Sequence, residues 1–414
     1  MKSVDTLIVG AGLAGLACAV RLHEAGHQAL IVERSDGVGG RVRTDDVDGF
    51  LLDRGFQVYL SAYPEAARIL DIEALDLRRF RAGAIVFSKG KRHRMMDVFR
   101  HPVSLPGTVL QPIGSPRDKL LVGLLRLRSL HGKSKFEDQR TDDYLRHFGF
   151  SRDMIDRFFR AFYGGIFLER ELRTSSRMFE FTFQMFSRGH ATLPSKGMGA
   201  IPAQLADRLP EESIRLHTEV AQLDSSGVTL ANNDRIVAKQ VVVATDATSA
   251  GRLLPKLEQK ATGWRSVTNL YFAVPVSPLN EAIIALNGDA AGPINSVCVL
   301  SDVAPDYAPA GQALISVAAL GLPGDDSLEG EVRKDLAGWF GEAAVKQWRH
   351  LRTDRIPHAL PEQPPQDPHP DADESPFRQV DGVFVCGDHT HTASIEGALV
   401  AGDRTAAAIL EGKR

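Results

Sequence analysis

An α/β fold carrying an α+β insertion is what this sequence predicts, on three observations. An apolar strand, Asp5–Val9, runs into a glycine-rich turn and a helix from Leu13 to Ala25, and HQALIVE follows as a second apolar strand. That is a βαβ unit at the start of the chain. Helix periodicity then dominates between Arg117 and Phe186, in runs such as DKLLVGLLRLRSL, while strand, glycine turn and helix return in Gly382–Leu410.

The elements between them fill in the plan. At 414 residues the chain exceeds one ordinary core, so two closely joined domains are expected. From Gly197 the nucleotide-type pattern resumes, with a helix over Ala200–Arg208 and strands near Ile214–His217 and Gln240–Ala244. A second insertion, Val267–Arg355, is strand-rich (SVTNLYFAV, INSVCVL, ALISVAAL) and carries one helix at Leu328–Phe340. PHALPEQPPQDPHPDADESP reads as a Pro-rich loop that crosses between domains. The resulting division gives residues 1–90, 191–262 and 356–414 to a discontinuous cofactor domain. Residues 91–190, mostly helical, and 263–355, strand-rich, form the substrate domain.

Composition narrows the partners. With 43% hydrophobic and 24% charged residues the chain is an ordinary globular one, and its net charge of −3 gives no general attraction for nucleic acid. Three well-separated cysteines, Cys18, Cys298 and Cys386, fit a reducing cytoplasm. Thr6–Val20 is apolar, yet Gly10, Gly12 and Gly15 interrupt it and only Lys2 precedes it as a basic residue, so a buried strand and helix explain it better than a signal sequence. No stretch approaches the roughly 20 apolar residues that span a bilayer. A cytoplasmic protein is expected, with contact at a membrane surface as the alternative. The basic cluster Lys89–Arg94 reads either as a solvated turn or as a contact for anionic lipid, and the apolar helix Leu120–Leu130 would add an interfacial face.

The chemistry is concentrated in the glycine motifs. Gly10, Gly12 and Gly15, with Leu13 and Ala14 between them, form GxGxxG between strand and helix. The first glycine makes the turn, the second admits a pyrophosphate to the backbone and the third lets helix and strand pack closely. The helix N-terminus adds free N–H groups and a positive dipole end. Glu33 ends the second strand about 20 residues on, where a carboxylate binds a ribose hydroxyl and disfavours a 2′-phosphate. The pattern is Rossmann-like. Glu33-Arg34 then leads into a second glycine loop, Gly37-Val38-Gly39-Gly40-Arg41, whose Arg41 adds a cation beside the same pyrophosphate.

These segments resemble the ER…GGR…T element of flavin amine oxidases, phytoene-type desaturases and protoporphyrinogen oxidases. Gly49–Gln57 is similar to the GxxxDxG stretch of those families, and Leu193–Pro202 to their GGMG…P element, with Lys196 in place of a glycine. The resemblance implies a two-dinucleotide-binding fold holding FAD. It places Thr218-Glu219-Val220 at the adenine, and Gly387-Asp388 along the ribityl-phosphate. It also points the helix that begins at Ser394, Ile395 and Glu396 toward the pyrimidine ring of the flavin. The positive helix end there would stabilise charge on reduction. A covalent link through Cys386 is not expected, since the thiol precedes the Gly-Asp turn, so the FAD is held non-covalently.

CGDHTHTASIEGALVAG is similar to the last motif of carotene desaturases. Monoamine-type oxidases place an aromatic residue where Ser394-Ile395 stands, and a lysine where Asn269 aligns, so the desaturase-like branch leads. The implied reaction is dehydrogenation of a small hydrophobic isoprenoid- or porphyrinogen-like substrate, with oxygen or a quinone as electron acceptor. Amine oxidation is the alternative. A non-enzymatic binding protein on the same fold is another, and it predicts damage at the phosphate-binding positions, whereas Gly10, Gly12, Gly15, Glu33, Arg41 and Asp388 all fit. The aromatic run from Phe158 to Phe186 is read as either helical core or an apolar substrate cavity. Lys196, His389 and His391 are the candidate catalytic side chains. Cys386, His389 and His391 have no second pair at zinc-site spacing, so no metal is expected. The oligomeric state is not legible.

Overall fold

The computed structural model of the chain describes residues 3–131, 137–256, 263–324, 327–365 and 377–412. It opens with β1 (Ser3–Val9), α1 (Leu13–Glu24) and β2 (Ala29–Val32), and a hairpin of β3 (Thr44–Val47) and β4 (Phe50–Asp53) follows. The helical insert contains α2 (Leu105–Val109), α3 (Pro116–His131) and α4 (Ser176–Arg188). Further on come β5 (Arg235–Val243), β6 (Trp264–Val274), β7 (Arg349–Pro361), β8 (Val383–Cys386) and α5 (Ile395–Glu411).

The first sheet has eight strands and is centred on β1, which pairs in parallel with β2 through Leu7↔Leu30 and with β5 through Leu7↔Val241. β8 joins β5 in parallel at Val242↔Phe384. Such strands are apolar on both faces because helices cover them, and Leu7, Ile8, Val241 and Val242 are fully buried. The mixed α/β architecture expected from the sequence is therefore present.

The second sheet has seven strands, running from β7 and β6 at one edge to Gly83–Ser88 and Lys91–Met96 at the other. Two expectations change here. The division expected at residue 90 falls in the turn of the Gly83–Ser88/Lys91–Met96 hairpin, and both of its strands belong to this sheet, because Gly83–Ser88 pairs in parallel with Ile284–Asn287. The start of the expected Pro-rich loop is instead the end of β7. Pro357 and Pro361 are accommodated because β7 is an edge strand, whose free side needs no N–H donor. Its register slips between Arg265↔Leu360 and Val267↔Ile356, so the strand bulges around Pro357–Ala359. Residues 366–376 of that stretch lie outside the described residues.

Asp53, at the end of β4, joins the two halves. Its buried carboxyl accepts hydrogen bonds from Thr44 Oγ1 (2.5 Å), the Met198 N–H (2.9 Å) and the Tyr307 hydroxyl (2.8 Å). Tyr271 of β6 donates to the Asp53 carbonyl at 2.6 Å. Burial pushes the carboxyl pKa up to about 6 in spite of these donors.

Candidate functional site

A cavity of about 1440 Å³ runs from the N-terminus of α1 to the aromatic part of the helical insert. Its first wall is built by the glycine motif, whose residues divide the work by space. A Cβ on Gly15 would lie 2.0 Å from the Gly10 carbonyl oxygen, so this position lets α1 pack on β1 and does not face the cavity. A Cβ on Gly12 would meet nothing within 4 Å. Gly12 is also the N-cap of α1 and brings no side chain to its free amides. The open end of α1, with Leu13 and Ala14, is thus exposed to the cavity.

The expected acid and cation stand beside it. Glu33 Oε2 accepts the Ala11 N–H and Oε1 the Ser35 N–H, both at 2.8 Å, which holds the carboxylate against the motif. Arg34, Gly39, Gly40 and Arg41 line the same wall. Arg41 Nη2 donates to Asp388 Oδ1 at 2.6 Å, Nη1 donates to the Ala359 carbonyl at 3.0 Å, and the guanidinium sits 5.6 Å from the ring centre of Trp264. Gly387, Asp388, Val220, Ser394 and Ile395 complete the expected set along the lining. Asp246 lies here too. Burial alone would raise its pKa, but hydrogen bonds from Ser249 and the nearby charges of Arg34 and Arg41 outweigh it and hold the carboxyl below its usual range.

Other expected residues point elsewhere. Glu396 is buried in α5 and its carboxylate accepts the Glu65 and Ala66 N–H groups at 2.9 Å, so it ties a neighbouring turn to α5 and does not face the cavity. Lys196 is exposed on the turn closed by Gly197 N–H to the Pro194 carbonyl, outside the lining. His389 and His391 follow the Gly-Asp turn and are also outside the lining. Asn269 is fully buried away from it, accepting from Ser316 Oγ at 3.0 Å. Among the described residues no cluster of His, Cys, Asp and Glu has the makings of a metal site.

The aromatic run divides between the two readings of it. Phe167 and Phe179 are core, whereas Phe158, Phe162, Phe183 and Phe186 line the chamber, and Phe159 and Tyr163 do both. A π-helical turn over Ile155–Phe159 delivers the neighbouring rings of Phe158 and Phe159 to the cavity. Phe158 stacks on Phe162 at 5.9 Å with an interplanar angle of 3°. Gln57 was missed as a wall residue. Its Nε2 donates to the Arg41 carbonyl at 2.9 Å, while its buried Oε1 has no hydrogen-bond partner among the described residues. His358 and Ala359 were also missed, and the β7 bulge brings them in.

α5 reaches the cavity by lying against α1. A Cβ on Gly402 would come within 2.0 Å of the Ala14 carbonyl oxygen, and Arg21 of α1 pairs with Asp403 of α5. The N-terminal turn of α5, capped by Ser394 Oγ accepting from the Gly397 N–H at 3.0 Å, ends at the lining.

An open helix N-terminus, an adjacent carboxylate, a half-exposed arginine and an orphaned acceptor fit a dinucleotide, and the attached chamber fits an apolar molecule. Comparison with known proteins makes this class specific. The chain belongs to the flavin containing amine oxidoreductase family, whose model matches residues 13–410. That family implies a flavin cofactor and oxidoreductase chemistry. Among curated proteins, the chain is similar to the 15-cis-phytoene desaturase of Narcissus pseudonarcissus. The two are 29% identical over 107 residues, which make up 25% of this chain and 19% of that protein. It is also similar to a probable zeta-carotene desaturase of Synechococcus elongatus, at 26% identity over 312 residues, or 65% of this chain and 64% of the other. The match thus spans less than two thirds of either relative. Among solved structures, a putative protoporphyrinogen oxidase from Exiguobacterium sp. 255-15 superposes with a TM-score of 0.74 at 17% identity, covering 100% of both chains. At that identity the likeness establishes the fold.

Proposed function

We propose that this chain is an FAD-dependent oxidoreductase that dehydrogenates a hydrophobic organic molecule of isoprenoid or porphyrinogen type. The observation that carries the reading is the continuity of the cavity, which joins the open end of α1 to a chamber walled by Phe158, Phe162, Phe183 and Phe186. Gly12, Glu33, Arg41 and Asp388 would hold the cofactor. Bound there, it would supply hydride acceptance from a substrate C–H and later discharge to oxygen or a quinone. The protein's part is then to orient the substrate on the aromatic walls, exclude water and set the local field. The N-terminal turn of α5 favours negative charge in its vicinity. No aromatic side chain stands at Ser394-Ile395, which supports an apolar substrate ahead of an amine.

Binding is proposed to be non-covalent. Cys386, the thiol nearest the Gly-Asp turn, is fully buried, and burial pushes its pKa up to about 12, which removes its nucleophilicity at neutral pH. Acid precipitation should therefore release all the yellow colour into the supernatant.

The test of function is anaerobic titration of the purified protein, followed by flavin absorbance. Bleaching by isoprenoid or porphyrinogen compounds in detergent, and not by primary or secondary amines, is expected. Bleaching by amines alone would overturn the substrate class, and a protein that purifies colourless and takes up no FAD would overturn the enzyme.

A further inference from the structure

The outward face of residues 98–130 is not that of an ordinary soluble surface. Of the ten large apolar side chains that are exposed among the described residues, eight lie between Phe99 and Leu130. Val103 is 96% exposed, Leu110 81% and Leu120 77%. On α3, exposed Leu120, Leu124 and Leu127 follow i, i+4, i+7 spacing and form one stripe. The same helix buries Leu125 on its other side, and Gln184 of α4 donates to the Ser129 carbonyl there at 2.7 Å. α3 is therefore apolar on two faces, of which the core uses one. Concentration of exposed apolar groups in one place marks an interaction surface.

This face is held in shape by its polar groups. The Lys119 ammonium donates to the carbonyls of Val109 (3.0 Å) and Gln111 (2.8 Å), fastening the end of α2 to the start of α3. Asp118 is buried and accepts from the Ser115 and Ser151 N–H groups at 2.6 and 2.7 Å. It is the one acid within residues 98–130, against Arg100, Arg117, Lys119, Arg126 and Arg128, but the adjoining Asp97 pairs with Arg126 at 2.6 Å and with Arg100 at 3.4 Å. The basic strand Lys91–Met96 runs alongside, with His93 bonded to Gln111 at 3.2 Å and Lys91 and Arg92 exposed. Arg117, Lys91 and Arg92 remain exposed, so in a chain of net charge −3 this apolar face carries a basic edge.

The face also surrounds an entrance. Phe99, Leu105 and Leu120 are exposed on the outside and line the cavity on the inside. Phe99 is seated over α3, with the Arg126 guanidinium 4.9 Å from its ring centre. An apolar molecule moving from this face to the aromatic chamber would pass Phe99, Leu105, Leu120 and Val122, with Lys119 and the Asp97–Arg126 pair also in the lining.

We infer that α2 and α3 dock on an anionic phospholipid bilayer, and that the substrate enters the cavity directly from the acyl-chain region between them. The entry route rests on the proposed hydrophobic substrate; the docking does not. The exposed Lys91, Arg92 and Arg117 select anionic lipid, and the two-sided α3 supplies the buried apolar area.

The experiment is flotation of the full-length, flavin-loaded protein with phosphatidylcholine vesicles, with and without phosphatidylglycerol, at low and high salt. Wild type should float with the anionic vesicles and be released in part by salt. The combined variant Val103→Ser, Leu110→Ser, Leu124→Ser, Leu127→Ser should bind at least about tenfold less. None of these four side chains lines the cavity, so its flavin content and its turnover of detergent-dispersed substrate should match wild type, while turnover of vesicle-borne substrate falls. Wild type that stays in solution with both vesicle types overturns the inference. So does a lipid-free dimer, seen by light scattering, that the variant converts to monomer, since the face then belongs to a second copy. Failure of the function itself would appear separately, as absence of turnover in both substrate forms with vesicle binding intact.

Discussion

Arg41 and Asp388, 347 residues apart, form an ion pair at 2.6 Å in the wall of the cavity. The pair fastens the second glycine loop to the turn after β8. Arg41→Ala would remove the cation expected at the pyrophosphate and leave the buried Asp388 carboxylate without its partner. A loss of roughly 1–3 kcal/mol is the usual scale for that. Flavin content of the purified variant, read as the ratio of visible to ultraviolet absorbance, should fall about tenfold or more, and Arg41→Lys should recover only part of it.

The glycines separate binding from folding. Gly12→Ala places a methyl where no protein atom stands within 4 Å, so the apoprotein should unfold at the wild-type temperature while flavin retention is lost. Gly15→Ala drives a methyl toward the Gly10 carbonyl and should lower the stability of the apoprotein itself, by about 1–3 kcal/mol. Thermal unfolding and flavin content measured on both variants check the pair. Equal loss of stability in the two would contradict the division of roles.

Asp53 makes stability pH-dependent with a definite sign. Its folded pKa is raised from 3.8 to about 6, so ionisation is harder in the folded chain than in the unfolded one. The protonated carboxyl carries no penalty below the unfolded value. As pH rises from there through about 6, the folded state loses stability, on the order of 2–3 kcal/mol at full ionisation. Urea unfolding of wild type and Asp53→Asn between pH 4 and 7 should show the difference between them shifting in favour of the variant as pH rises. A difference that stays constant would show that Asp53 ionises normally.

Phe162 stacks on Phe158 and edges Phe186 at 5.4 Å within the chamber. Phe162→Ala should leave flavin content unchanged and raise KM for an apolar substrate several-fold, by removal of wall area worth about 1–2 kcal/mol. Steady-state kinetics with unchanged absorbance spectra would support the chamber as the substrate site, and a loss of flavin would place Phe162 at the cofactor instead.

The end of the cavity at the glycine motif was legible because its signals are local. GxGxxG, Glu33 and the Gly387-Asp388 turn follow from backbone geometry that each segment adopts by itself. The remainder depends on partners distant in sequence. His358 and Ala359 enter the wall because β7 bulges against β6, an event written in the pairing and not in PHALP. Helical spacing could place the aromatic run on helices, but the π-helical turn that brings both Phe158 and Phe159 to the cavity leaves no mark in the periodicity. Glu396 stands within the expected motif yet serves the Glu65–Ala66 turn, because in a helix the residue beside a wall position points about a quarter-turn away. The boundary at residue 90 cuts a hairpin, because the pairing that draws Gly83–Ser88 into the second sheet is with Ile284–Asn287, some 200 positions on.

The packing of α5 on α1 also bears on how the protein is made. The ribosome delivers the phosphate-binding turn early, but the opposing wall, with Asp388 and the helix that locks against Ala14, follows 347 residues after Arg41. At ~5–20 residues per second that is a wait of roughly 20–70 s. During this time the βαβ unit has emerged with its apolar strands uncovered on one side and no complete cleft to offer. The cleft is therefore complete only after translation of α5, and a nascent chain stalled before it would expose those strands to chaperones and proteases.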